Sequence, residues 1–206
     1  MKETTRCILD ELFVRYPSLE GCRGSISAAL EMLLASYRAG GKVLVCGNGG
    51  SASDAEHIVG ELLKKFKKHR CIPDAVAARL RPELVSRLEG SLPAVSLVSM
   101  SGIMTAFAND VAWETAFAQQ VLGLAKPQDV LVALSTSGNS ANCAAAAEVM
   151  KALGGKSIAF TGEMESRLSA ICDVSIRVPE HETYKIQELH LPVYHALCAA
   201  VEEELF

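Results

Sequence analysis

Apolar positions along the chain change period several times, and the changes mark out its elements. From Ile8 to Tyr37 they recur at three- and four-residue spacing, which predicts helix across residues 1–39, broken in two near Pro17 and Gly21. After Gly40-Gly41 the pattern becomes an unbroken apolar run, Lys42-Val-Leu-Val-Cys46, ending in Gly47-Asn-Gly-Gly-Ser51. A strand buried on both faces, followed by a tight glycine turn, reads this way. Helical spacing resumes from Ser51 to about Lys68. The same grammar returns at Asp129–Leu134 before Ser135–Ser140 and an alanine-rich helix through Leu153, and at Lys156–Phe160 before Thr161-Gly162. Pro93–Val98 and Val174–Val178 are further strands, Ser101–Ala108 a helix, and Tyr184–Glu204 the last helix. Strands alternating with helices at this interval predict a doubly wound α/β fold, a parallel sheet flanked by helices on both faces. Residues 1–206 read as one domain, with 66–92 as an inserted helical segment too short to own a core.

Composition narrows the function classes. A net charge of -4 and a pI near 5.8 argue against a dedicated nucleic-acid binder. The one basic cluster, Lys64, Lys65, Lys67, Lys68, His69 and Arg70, reads as a solvated helix end. Seven cysteines are odd in number and widely spaced with no CxxC pair, which fits a reducing compartment. The MKETTRCILDELF start lacks a secretory apolar region, and no apolar run reaches membrane-spanning length. The expectation is a cytoplasmic protein with no membrane and no nucleic-acid partner.

Two turns carry anion-binding chemistry. Ser135-Thr136-Ser137-Gly138-Asn139-Ser140 sets four hydroxyls at the start of a helix, where free N–H groups and the helix dipole favour an anion. Gly47-Asn48-Gly49-Gly50-Ser51 lets a backbone approach a ligand closely. Either turn alone is also explained by ordinary capping, but two of them following strands in one sheet point to a phosphate. The absence of GxxxxGK[ST] and GxGxxG disfavours nucleotides.

Ionisable residues gather on two helices. His57 and Glu61 stand four apart and share a face, able to bind a metal, supply a base or simply bond each other. Asp54 and Glu56 read as first-turn acids that complement the helix dipole. On the last helix Gln187, Glu188, His190 and His195 interrupt an apolar segment, and Pro192 is expected to kink it. Spacing leaves the choice between His190 and His195 open. Asn109-Asp110 ends the 101–108 helix as a turn or a ligand contact.

CGNGGSASDAEH at 46–57, STSGNSAN at 135–142 and IQELH with a second histidine at 195 resemble the phosphoheptose isomerases, sugar isomerase (SIS) domains that interconvert an aldose and a ketose phosphate. The resemblance implies a flavodoxin-like three-layer SIS fold. It also implies conversion of sedoheptulose 7-phosphate to D-glycero-D-manno-heptose 7-phosphate through a cis-enediolate. It assigns His57, Glu61, Gln187 and His195 to a Zn²⁺ site, which selects His195 over His190, with Glu61 and His195 moving protons. Other divalent metals suit the same donors. Ser135, Thr136, Ser137 and Ser140 match its phosphate cradle. Asn48, Gly49, Gly50 and Ser51 match its sugar-side loop, and Asn109 and Asp110 its sugar-contacting pair. It further implies a homotetramer with sites shared between subunits. Tyr184 stands where members carry an acid, and 66–92 is longer than usual; both bear on the sugar more than on the reaction. The rival is a non-catalytic SIS module that binds a sugar phosphate or a replication initiator; retention of the His/Glu/Gln/His set favours catalysis.

Overall fold

Five apolar runs pair into one parallel sheet in the computed structural model, which describes residues 1–206. The strands are β1 (Val43–Gly47), β2 (Ala94–Ser96), β3 (Val130–Leu134), β4 (Lys156–Thr161) and β5 (Val174–Arg177), in the spatial order β2-β1-β3-β4-β5. The helices are α1 (Glu3–Arg15), α2 (Arg23–Arg38), α3 (Gly50–Leu63), α4 (Asp74–Ala77), α5 (Pro82–Val85), α6 (Ser101–Asp110), α7 (Ala116–Leu124), α8 (Ala141–Ala152), α9 (Arg167–Ile171) and α10 (Thr183–Leu205).

Alternate strand residues feed two cores. Val43, Val45, Val130, Val132, Ile158 and Phe160 join α1, α2, α3 and α10 on one face. Leu44, Cys46, Leu131, Ala133 and Ala159 join α6, α7, α8 and α9 on the other. Because both faces are covered, the central strands β1 and β3 are apolar throughout rather than alternating. The doubly wound class and the helical N-terminal region expected from the pattern are both present. Not anticipated were α7 and the 3-10 turn Trp113–Thr115 before it. The kink expected at Pro192 does not interrupt α10, which runs unbroken for 23 residues. Proline there lacks the N–H that would reach the Glu188 carbonyl, and Glu188 lies exposed, where solvent can serve that oxygen.

Two expectations around residue 64 are corrected. The helix stops at Leu63, with Lys64 extended at φ -121, ψ 171. The basic cluster is not a solvated helix end, because Arg70 is fully buried. The cause is Glu202 of α10, also fully buried, whose carboxylate accepts from the backbone N–H groups of Phe66, Lys67 and Lys68 and from Arg70 Nε at 2.7 Å. Arg70 also donates to the Leu62 carbonyl at 2.6 Å and the Glu61 carbonyl at 3.0 Å, capping α3. Burial pushes the Glu202 carboxyl up, but these hydrogen bonds outweigh it and hold it below the ordinary carboxylate range. The 66–92 segment carries only the short helices α4 and α5.

His190 is a core residue. It is fully buried, with Nε2 3.2 Å from the Thr161 carbonyl and its ring edge-on to Phe160.

Truncating Arg70 leaves a buried carboxylate without its cation, so Arg70→Met is expected to cost about 3–5 kcal/mol in urea unfolding. Glu202→Gln keeps an acceptor for the loop amides and is expected to cost less. A loss below about 1 kcal/mol for Arg70→Met would show the pair to be dispensable. Burial lowers His190 to about 4, against an ordinary 6.5. The folded state therefore keeps it neutral while the unfolded chain takes up a proton. Its contribution is present above pH 6.5 and is lost as pH falls toward 4, about 3 kcal/mol in all. Urea midpoints across that range are expected to flatten in His190→Gln; an unchanged pH slope would assign the loss to other groups.

Candidate active site

Strand order reverses at β1: the chain passes from β1 to β2 on one side, then crosses back to β3 on the other. Ligands of open parallel sheets bind at such a switch point, beyond the carboxyl ends of the strands. Gly47 pairs with Leu134, so the turns after β1 and β3 leave the sheet at the same level. They are tied by a reciprocal amide pair, Asn48 Nδ2 to Asn142 Oδ1 at 2.9 Å and Asn142 Nδ2 to Asn48 Oδ1 at 2.8 Å.

The Ser135–Ser140 turn is held by its own internal bonds. Ser140 sits at the N-cap of α8 without capping it through its side chain; its hydroxyl instead meets Ser135 Oγ at 2.8 Å. Gly138 adopts φ +65, and a Cβ there would collide with Ser166. Thr136 is half-buried and Ser137 exposed. In the first turn Gly49 has φ +57, and Gly50 and Gly49 are exposed while Ser51 is buried. A Cβ on Gly50 would lie 2.7 Å from Gln187 Nε2, so the missing side chain is what lets α10 bring Gln187 against this turn.

The ionisable residues meet where α3 and α10 pass each other. His57 Nε2 lies 3.3 Å from Glu61 Oε1 and 3.4 Å from His195 Nε2. Glu61 Oε2 accepts from Lys64 Nζ at 3.0 Å. On its other side His57 Nδ1 lies 3.1 Å from the Tyr194 hydroxyl, which donates to Asp54 Oδ1 at 3.1 Å. Burial lowers the His195 pKa, with His57 adding to the effect and Glu61 opposing it. Burial raises the Asp54 carboxyl, against the Tyr194 hydrogen bond and His57. A cavity of about 370 Å³ between α1 and α10 opens beside His195, with Arg15, Lys67, Tyr16 and Phe66 in its wall.

The structure thus brings His57, Glu61 and His195 together, and sets Gln187 against the glycine turn. Their contacts are pairwise: no group of three His, Cys, Asp or Glu side chains converges on one point. Asn109 and Asp110 stand apart, exposed at the end of α6 and bonded to each other at 2.8 Å. Tyr184 is exposed in the first turn of α10. Four residues' roles were missed from the sequence. Asp54 and Glu56 are not first-turn acids, because α3 begins at Gly50 and has no acid in its first turn; Asp54 instead holds Tyr194 and Glu56 accepts from Ser99 Oγ at 2.8 Å. Tyr194 lies in the apolar segment of the last helix, and its place beside His195 is the available signal. Asn142 gave none beyond its position in the turn-to-helix motif.

Residues 102–200 match a SIS domain model, and residues 19–91 match a second SIS domain model. The chain is 39% identical over 195 residues to a phosphoheptose isomerase of Rhodospirillum rubrum, covering 95% of this chain and 92% of the relative. It is 36% identical over 206 residues to one from a Roseiflexus species, covering 98% and 95%. Among solved structures, a phosphoheptose isomerase from Francisella tularensis superposes with a TM-score of 0.74 at 30% identity, over 95% of this chain and 98% of that one. One from Neisseria gonorrhoeae gives 0.71 at 32% identity, over 86% of each. With its sheet order, its paired turns and relatives of this similarity spanning nearly its whole length, the chain belongs to the phosphoheptose isomerase family of SIS-domain sugar-phosphate isomerases.

Proposed function

We propose that this chain isomerises sedoheptulose 7-phosphate to D-glycero-D-manno-heptose 7-phosphate with the help of a divalent metal. The observation that carries this reading is the uncapped, hydroxyl-lined start of α8 at the switch point, tied through Asn48 and Asn142 to the glycine turn that opens α3, the helix that also carries His57 and Glu61. The names of the relatives support the heptose.

Such a reaction moves a proton from the carbon beside a carbonyl to its neighbour and leaves the phosphate untouched. In this reading Ser135, Thr136, Ser137 and Ser140 hold the phosphate with hydroxyls and helix-start N–H groups. Asn48, Gly49, Gly50 and Ser51 meet the sugar across the crevice. Glu61 takes the carbon proton and returns it next door, passing through a cis-enediolate. His195, kept toward its neutral form by burial, moves the proton between the two oxygens. Asn109 and Asp110 contact the sugar in a site completed between subunits of a homotetramer. Exposed Val111, Trp113 and Leu122 near them support association of copies.

The donor chemistry fits Zn²⁺. Imidazole and carboxylate are donors that zinc takes, and His57 Nε2 lies 3.3 Å from Glu61 Oε1 and 3.4 Å from His195 Nε2, although the contacts stay pairwise. By the resemblance Gln187 would add its amide to the set; here that amide lies against Gly50. Bound there, the ion would polarise the substrate carbonyl and hydroxyl. Glu61 can serve as both ligand and base because its two oxygens already face different partners, His57 and Lys64.

The deciding experiment assays metal-stripped protein with and without Zn²⁺ on sedoheptulose 7-phosphate, ribulose 5-phosphate and fructose 6-phosphate. Zinc-restored turnover of the heptose is expected, falling by about 10²–10⁴ in Glu61→Gln. Turnover of a shorter sugar alone would move the substrate. Tight sugar-phosphate binding without turnover of any would replace catalysis by a binding module. Gly138→Ala, strained at its positive φ and blocked by Ser166, is expected to weaken sugar-phosphate binding roughly tenfold or more, as the lost anion contacts are charge-assisted. Unchanged binding would move the phosphate elsewhere.

A further inference from the structure

Tyr194 is 1% exposed and stands between two ionisable groups, its hydroxyl 3.1 Å from Asp54 Oδ1 and 3.1 Å from His57 Nδ1. A phenol has one hydrogen to give and lone pairs with which to accept. A carboxylate only accepts, so the hydroxyl hydrogen goes to Asp54. The contact with His57 must then run the other way, with Nδ1–H donating to the tyrosine oxygen. A neutral imidazole carries a single N–H, so Nε2 is left bare. Nε2 is the atom that faces Glu61 Oε1 and His195 Nε2.

The opposite tautomer strands a hydrogen bond in a worse place. If Nε2–H pointed at Glu61, the hydroxyl would have to donate to Nδ1, leaving Tyr194 and Asp54 as two acceptors face to face. Asp54 has no other hydrogen-bond partner than Tyr194, whereas Glu61 also has Lys64. Both carboxylates are partly buried, and the one left with no donor at all costs more than the one that keeps a lysine. With Nε2 bare, His57 and Glu61 set two acceptors 3.3 Å apart, an arrangement that calls for a cation between them.

We propose that Tyr194, anchored by Asp54, is a positioning residue that holds His57 in its Nδ1–H tautomer and presents a bare Nε2 to the site. This consequence for metal binding rests on the reading of His57 as a ligand; the tautomer itself belongs to the chain without any ion.

The test is long-range ¹H–¹⁵N correlation on metal-free, histidine-labelled protein at about pH 8.5, well above the ordinary imidazole range. Only five histidines are present, and His57→Gln assigns the signal. Wild type is expected to show His57 protonated at Nδ1. In Tyr194→Phe it is expected to relax to the Nε2–H form that free histidine favours. In Asp54→Asn the amide can donate to the tyrosine oxygen, turning the hydroxyl toward Nδ1, and Nε2–H is expected again. An unmoved His190 signal reports an intact core in each variant. Zn²⁺ affinity, read by chelator competition, is expected to fall about 10–100-fold in both. An Nε2–H signal for His57 in wild type, or an unchanged tautomer in both variants, overturns the proposal. Wild-type protein with the Nδ1–H tautomer but no zinc affinity would instead refute the metal reading and leave the positioning role standing.

Discussion

The in-register pairing of β1 with β3 is the constraint from which the site follows. Val43 faces Val130 and Gly47 faces Leu134, so both strands end at one level. A slip of one residue would send Val43 and Val45 into the wrong core, which makes the register expensive to change. Because the chain turns from β1 toward β2 and returns to β3, no helix covers the gap between their ends. The glycine turn and the hydroxyl turn therefore flank one crevice, and the Asn48–Asn142 pair fixes their spacing. In the proposed reading each turn supplies half of the sugar-phosphate site, and the sheet brings the halves together.

A second set of contacts brings the ionisable groups of α3 and α10 together. Helix α10 is core on one side, through Val193, Leu197 and Val201, and polar on the other, through Gln187 and His195. Its partner α3 would fray after Leu63 if its last carbonyls were left to solvent. Arg70 takes two of them, at Glu61 and Leu62, and Glu202 holds Arg70. A buried ion pair gains little stability against an apolar replacement, so specificity of placement is its better rationale. Here what it places is the backbone of Glu61 itself.

The sequence made the strands and both turns legible because each is a local pattern: an apolar run, then glycines or hydroxyls. Residues that act through distant partners were not legible. Arg70 looked like one more cation in a basic run, and only Glu202, 132 positions away, turns it inward. Tyr194 looked apolar because its hydroxyl is satisfied by Asp54 and His57 across the interface of two helices. Helix α7 was missed because, at nine residues between the Asn109-Asp110 turn and Pro127, it is too short for its period to stand out. His190 and His195 were indistinguishable by spacing; burial separates them, one against Phe160 and the other against His57.

The same contacts explain how the outer part of the 66–92 segment can vary in length without disturbing its stem. Its two ends are pinned close together: Gly90 N–H bonds the Arg70 carbonyl at 2.8 Å, Leu92 N–H the Leu62 carbonyl at 3.0 Å, and Lys65 N–H the Glu89 carboxylate at 3.0 Å. Between these pins α4 and α5 bury no residue. The entropy of closing a loop rises only slowly with its length, so residues can be added between fixed ends at small cost. What cannot vary is the stem, since Arg70 and the amides of Phe66, Lys67 and Lys68 all converge on Glu202. The segment is thus free in its outer part and held where it touches the end of α3, within one turn of Glu61.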